Sequence, residues 1–508
     1  MAYKPYRTVS NRRNDHAFDP PPFSGHSRRH RWILPAACLM CFAGCAQIPA
    51  LDKSVEAKPV EQLRSNASFT APAAAWPANG WWRTYGDPQL DALIEEALRG
   101  SPNLAVAQAR LRQAGAMTQT AGAPLMPEVI GTAAFNEAKQ SYNYLMPRQA
   151  VPNGWNDYGQ ATLNLSWELD FWGKNGSAMA AALSEQKAAQ ADVAQTRLIL
   201  STSVASAYAE LVHLFTVRDT AEAALAIRTK TVELFLQRHE FGLENLASVR
   251  QVEARQAAAE AELRSVDERI ALQRNGIAAL LGAGPDRGLA VTRPTVRFAG
   301  NKGLPPKLAL ELLGRRPDIV ASRLRTEAAA KRIDQQKAGF YPSVNLLAFV
   351  GVQSLGIDKL TKSGSDIGGV GPAMSLPIFN TERLQGQLRG AQAEYDAAVS
   401  TYNATLTNAL REVADAAQSR KSLDGELSAS RAAVTAAAEA HSMVSKRYQG
   451  ELATYFDVLS AEDQLISAER GLADVETRAM VLDVALVRTL GGGFQSADKT
   501  SNTPAITN

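Results

Sequence analysis

The sequence predicts a mixed α and β fold written twice, each half a pair of β-strands followed by a hairpin of two very long helices. Three observations predict it. Residues Ser177 to Phe241 run for 65 positions without glycine or proline, against an average globular helix of about 11 residues. Ala161, Leu163, Leu165, Trp167, Leu169 and Phe171 alternate with polar residues, the period of a half-buried strand. The two halves also align with each other.

The alignment has two registers. At an offset of 215, Pro102 matches Pro317, Ala114 matches Ala329 and Pro127 matches Pro342. At an offset of 209, Val204, Arg238, Val249, Glu253, Arg269 and Gly282 match Val413, Arg447, Val458, Glu462, Arg478 and Gly491. The first repeat is read as 88–282, with strands in about 128–172 and a helical hairpin in about 174–282. The second is 304–491, with strands in about 343–379 and a hairpin in about 381–490. A linker at 283–303 holds Gly284-Pro285 and Arg293-Pro294, and a disordered tail is expected over 492–508.

In the first hairpin Leu243 to Asn275 gives another 33 residues free of glycine and proline, so Gly242 marks the turn. Helices of this length cannot bury a globular core and must pack side by side. Eleven alanines in residues 177–211 permit close approach. Length and alanine alone fit a simple coiled coil equally well; the strands argue against it. The expected strands are Val129 to Tyr144, the 161–171 stretch, Val344 to Gln353 and Val370 to Phe379. A run of about ten alternating residues is the length of a tilted transmembrane strand. Trp155, Trp167 and Trp172 cluster there as interfacial aromatics do. Four strands cannot close a barrel, and open edges in lipid are prohibitive. Three chains with four strands each make a twelve-stranded barrel, with the helices forming a second tube.

Composition narrows function. The chain has 508 residues, 45% hydrophobic and 21% charged, with net charge +3. Residues 1–44 hold seven Lys/Arg against Asp15 and Asp19, a net +5, which leaves −2 for residues 45–508 and no electrostatic case for nucleic acid. No run of 18 apolar residues occurs, so no membrane-spanning helix is expected. Arg28-Arg29-His30-Arg31, an apolar stretch from Trp32 to Ala43, then Gly44-Cys45 compose an export signal. Its ending resembles a lipobox, which makes residues 1–44 a lipoprotein signal, Cys45 the acylated first residue and 45–87 an acylated linker. Cys38 and Cys41 would then be lost, leaving no free thiol in an oxidising periplasm. The downstream histidines His213, His239 and His441 are isolated, and no hydrolase, metalloprotease or phosphate-loop motif is present, so no catalysis, cofactor or metal is expected.

With this order in view the chain resembles the TolC-like outer-membrane factor family, in its lipoprotein branch. The residues that carry the resemblance are Trp81-Trp82 through Asp87-Pro88-Gln89-Leu90, the run Leu165 to Lys174, Leu376-Pro377-Ile378-Phe379 and the turns at Arg238 and Arg447. The resemblance implies a homotrimer anchored in outer-membrane lipid, continuous with a periplasmic α-barrel. It also implies partners: a periplasmic adaptor and an inner-membrane pump, commonly of the resistance-nodulation-division type. The implied function is a passive exit duct for drugs or other toxic small molecules. A type I secretion duct and a non-conducting periplasmic coiled-coil lipoprotein are the alternatives. By the same resemblance the helical turns gate the pore and dock the adaptor. That marks Tyr448, Phe456 and Asp457 as gate candidates, and Gly242, Leu243, Leu246, Gly450, Leu452 and Tyr455 as docking candidates. Glu451 stands where the family's turn glycine is usual, with Gly450 one residue early; Gln449 and Ser460 stand where charged residues can occur.

Overall fold

The computed structural model describes residues 48–63, 69, 72–296, 303–305 and 308–496. Cys45, the signal segment and residues 497–508 lie outside the described residues. Four antiparallel strands form one sheet in the order β1-β2-β3-β4: β1 Glu128–Ala138, β2 Asn156–Leu169, β3 Ser343–Leu355 and β4 Asp366–Ser375. The register Leu165↔Val129, Leu165↔Ala348 and Ala348↔Val370 brings Val129, Leu163, Leu165, Val350, Val370 and Met374 onto one face. That face is exposed: Val129, Leu163, Val350, Val370 and Met374 all lie bare, an apolar surface that only lipid or protein can cover. On the other face the Thr132 and Thr162 hydroxyls sit 2.8 Å apart, and Asn164 Nδ2 donates to both.

Strand boundaries differ from expectation at several ends, most at β1 and β4. β1 stops at Ala138 instead of reaching Tyr144, because Lys139-Gln140-Ser141 leads into a turn. β4 covers Asp366–Ser375 instead of Val370 to Phe379. Pro377 has no N–H for a ladder. At its other end the strand begins at Asp366, paired with Val352, and Gly369 leaves room for the Phe349 ring, whose Cε1 would lie 2.8 Å from a Cβ there.

The helices are α1 Pro88–Gly100, α2 Pro102–Gly122, α3 Lys174–Glu240, α4 Leu246–Leu280, the single turn α5 Asp286–Leu289, α6 Leu308–Arg315, α7 Pro317–Ala338, α8 Thr381–Gln449 and α9 Tyr455–Thr489. Prolines open α2 and α7 at the first turn, where a missing N–H costs nothing. With 67 residues, α3 extends about 100 Å at 1.5 Å per residue. It packs against α2 and α4 on one side and α7 and α9 on the other, and α8 completes the layer against α7 and α9. Among the described helices only α3 has an 18-residue window of high mean hydropathy, 1.4, and that window is 56% buried by its neighbours. The apolarity serves helix packing.

Short and long helices match by stacking. The end of α4 meets the start of α2 at Gly282, and the end of α9 meets the start of α7 at Gly491. Both glycines are left-handed, φ 75° and 85°, and close helix-ending turns: the Ala283 N–H reaches Ala278 O at 3.0 Å and the Gly492 N–H reaches Val487 O at 3.0 Å. At the second junction the buried Arg316 donates to Asp318, Glu412 and the Thr489 carbonyl.

Residues 48–63 form a strap along α8. Leu51 packs on Phe340, Leu384 and Leu388 beside the foot of β3. Gln392 Nε2 donates to Asp52 O at 2.6 Å, Asp396 accepts from the Val55 N–H at 2.9 Å, and Asn403 pairs with Lys58 N and Glu56 O. Val60 joins Leu406 and Leu410 in a core further along. Residues 492–496, expected in a disordered tail, turn back instead: Ser496 N–H bonds Gly314 O at 3.0 Å and Phe494 packs near Val320. The described part of the linker, to residue 296, is likewise tied down: Asp87 accepts from the Thr295 N–H at 2.8 Å and from the Tyr208 hydroxyl at 2.8 Å.

Candidate gate and docking tip

The free ends of the hairpins α3–α4 and α8–α9 lie together. Both turns are the same helix-ending motif. In the first, the Gly242 N–H bonds His239 O at 2.9 Å and the Leu243 N–H bonds Arg238 O at 2.8 Å. In the second, the Glu451 N–H bonds Tyr448 O at 3.1 Å and the Leu452 N–H bonds Arg447 O at 2.8 Å. Gly242 is left-handed at φ 76°, and so is Glu451 at φ 56°, the one non-glycine with positive φ among the described residues. Gly450, at φ −93°, therefore does not take the turn-glycine role. The 209-residue register keeps the fold of the turn at the cost of a strained glutamate. Glu451→Gly is expected to stabilise the protein by about 1 kcal/mol per chain, checked by the melting temperature at fixed scan rate.

Each turn is followed by a cap. Asn245 Oδ1 accepts from the Ser248 N–H at 2.9 Å. Thr454 and Asp457 form a reciprocal box, in which Asp457 Oδ2 accepts from Thr454 N and Oγ1 at 2.8 and 2.7 Å. The Thr454 hydroxyl and N–H hold the Asp457 carboxyl below the usual range. Asp457 is thus engaged as a helix cap within its own chain.

Tyr448 points inward. It is buried with Val232, Phe235, Val249 and Val252, its hydroxyl donates to Glu244 Oε1 at 3.2 Å, and the Arg238 guanidinium lies 5.1 Å from its ring centre. Burial pushes the Tyr448 phenol up. Tyr455 also faces inward, its ring centre 4.1 Å from that of Phe235. The structure therefore makes Tyr448 and Tyr455 the joint between the two hairpins, while Leu243, Leu246, Leu452 and Phe456 stand exposed, Phe456 by 72%. Phe456 lines a 360 Å³ groove with Ser460, Asp463, Gln464 and Arg255.

Sequence reasoning missed an ionic cluster just above the tip. Arg228 of α3 lies 3.3 Å from Glu462 and 3.2 Å from Asp463 of α9, and Arg255 of α4 lies 3.2 Å from Asp463. Glu462 is 1% exposed, and burial pushes its carboxyl up despite Arg228. The only one-dimensional trace was Glu462 as a repeat match. Its arginine is 234 positions away in sequence.

A sequence model described as "Outer membrane efflux protein" matches residues 93–283 and 308–492, one match per repeat. The chain is 30% identical over 465 residues to the multidrug resistance outer membrane protein MdtP of Escherichia coli K12, covering 89% of this chain and 94% of that protein. It is 35% identical over 369 residues to the fusaric acid resistance protein FusA of Burkholderia cepacia, covering 71% and 68%. It superposes on the outer membrane protein VceC of Vibrio cholerae with a TM-score of 0.79 at 46% identity, covering 83% of this chain and all of that one. These matches set aside the non-conducting coiled-coil alternative. With a lipid-facing sheet, paired helical hairpins and a match in each repeat, the chain belongs to the outer membrane efflux protein family and is a channel protein of the outer membrane.

Proposed function

We propose that three copies close into a twelve-stranded barrel and one helical tube, a passive duct fed through a periplasmic adaptor by an inner-membrane pump of the resistance-nodulation-division type. The observation that carries this is the matching pair of open edges. β1 with the column of α2 and α4 bounds one side of the chain, β4 with α8 bounds the other, and among the described residues neither side carries a further strand or long helix. Joining β4 and α8 of one copy to β1 and α2–α4 of the next satisfies every edge in lipid. The names of MdtP and FusA, resistance to drugs and to fusaric acid, favour small-molecule cargo over secreted protein.

Lipid anchoring at Cys45 is part of the proposal. Leu51 is docked beside the foot of β3. Six residues of chain reach at most about 20 Å, so acyl chains on Cys45 would enter the inner leaflet beside the barrel. At the opposite end, exposed Phe456 is the proposed constriction, a hydrophobic gate that excludes water by dewetting. Leu243, Leu246 and Leu452, with Gly242 and Gly450 giving room, are the proposed adaptor contacts; Tyr448 and Tyr455 shape that surface from beneath, and Asp457 fixes the start of α9. The test is native mass measurement of the detergent-extracted protein with planar-bilayer conductance. An acylated trimer is expected, with Phe456→Ala raising single-channel conductance about twofold or more. A monomer, or unchanged conductance in Phe456→Ala, would remove the assembly or the gate assignment respectively.

A further inference from the structure

β1 leaves α2 and β2 returns to α3, so residues 139–155 close the sheet at its end remote from the helices. This loop is far longer than the about two to five residues a hairpin needs, yet it is held in place. The Tyr142 hydroxyl accepts from the Gly154 N–H at 2.9 Å, Asn156 Nδ2 donates to the Asn153 and Gly154 carbonyls at 3.3 Å, and Val151 is buried.

Tyr142 also carries two cations. Lys139 Nζ lies 5.6 Å and the Arg148 guanidinium carbon 5.3 Å from the centre of its ring. The ring attracts both, but no anion offsets their mutual repulsion. Residues 139–155 contain no Asp or Glu, and among the described residues neither cation forms an ion pair. The acids nearest in sequence, Glu137 and Asp157, pair across the strands on the apolar face, in step with Val129 and Phe135. Asp157 is engaged there by the Ile357 N–H at 2.6 Å.

On the opposite face, that of Thr132 and Thr162, a 250 Å³ cleft opens between the loop and the strand ends. Asn136, Gln140, Asn156 and Tyr158 give it polar walls, and Pro152 and Leu355 apolar ones. Lys139 stands in sequence between two lining residues, Ala138 and Gln140. Among the described residues the side-chain amides of Asn136 and Gln140 are engaged by no other protein group. Free amide donors, an apolar wall and two unpaired cations suit a small organic anion with a flat apolar body. A phosphate-bearing lipid would meet the other face of the sheet.

We infer that this cleft is a binding site for small aromatic carboxylates at the outer mouth of the barrel, on the path by which anionic cargo leaves. It is shallow and its cations are screened by salt, so it binds weakly, as release at an exit requires. Its place at the mouth rests on the duct reading above; the cleft itself lies within one chain.

Saturation-transfer NMR on the full-length protein in detergent tests it, with salicylate and its neutral analogue salicylamide as probes. Salicylate is expected to bind more tightly by about fivefold or more. Lys139→Gln with Arg148→Gln is expected to remove that preference and leave salicylamide binding unchanged; Lys139→Arg with Arg148→Lys is expected to keep it. Ala138→Leu, which fills the cleft and touches no charge, is expected to weaken both probes. Equal binding of the two probes by the parent, an undiminished preference in the double glutamine variant, or unchanged binding in Ala138→Leu would overturn the site. So would lipopolysaccharide held by the same two cations in place of salicylate. In planar bilayers, salicylate added on the loop side is expected to interrupt single-channel current in the parent and not in the double glutamine variant. A conducting trimer whose current salicylate leaves untouched would remove the cleft from the path of the cargo. Charge-dependent binding by a protein that proves monomeric and non-conducting would leave the site standing and overturn the duct reading instead.

Discussion

Gly351→Leu is expected to abolish recovery of the trimer from the outer membrane. Gly351 of β3 lies opposite Thr162 of β2. A Cβ there would sit 2.7 Å from Thr162 Cα and 2.8 Å from Thr162 Cγ2, and inside contact distance of the Ala161 carbonyl oxygen. Two of these atoms are backbone, so no rotamer change relieves the clash; the β2–β3 ladder must open. A strand interior that cannot pair loses its hydrogen bonds in lipid, which puts the cost above about 4 kcal/mol. Gly371→Ala in β4 is the matched control, since nothing lies within 4 Å of a Cβ there. It is expected to assemble normally. Trimer yield in the outer-membrane fraction reads both, and a normal yield of Gly351→Leu would show that β2 and β3 are not paired as described.

Arg316→Ala carries the next largest expected loss, about 3–5 kcal/mol per chain. The guanidinium is nearly enclosed, 2.6 Å from Asp318 and 2.9 Å from Glu412, and it donates to the Thr489 carbonyl at 3.3 Å. Truncation leaves two carboxylates and a helix-end carbonyl without their donor at the α7–α9 junction. Arg316→Lys is expected to recover only part, because one ammonium cannot reproduce the planar fork. Thermal melting at a fixed scan rate checks this, and an Arg316→Ala melting temperature equal to the parent would contradict the burial described.

What the sequence disclosed follows from physical range. Breaker-free length announced α3, and strict alternation announced β2, because both signals are local. The 209-residue register located both turns, including the left-handed position, since 242 shifted by 209 is 451. It did not reveal that Glu451 would accept that conformation or that Asp457 would be occupied by Thr454. Tyr448 is a gate candidate in the sequence, and the structure sets it in the joint between the hairpins. Its partners Phe235 and Glu244 belong to the other repeat, and nothing periodic along one helix specifies which face meets another. The strap was equally hidden: residues 48–63 have little periodicity of their own and take their path from Gln392, Asp396 and Asn403.

The junctions at Gly282 and Gly491 have a mechanical consequence. Beside each unbroken rod, α3 or α8, lies a column of two pieces butted end to end. Such a joint carries compression, because backbone rests on backbone, but it carries little torque, because no peptide bond crosses it. A twist imposed at the hairpin ends therefore reaches the barrel through two continuous rods per chain, and the split columns slip like the halves of a splint. The sheet therefore feels a turn at the far end of the tube through only half of the helical columns.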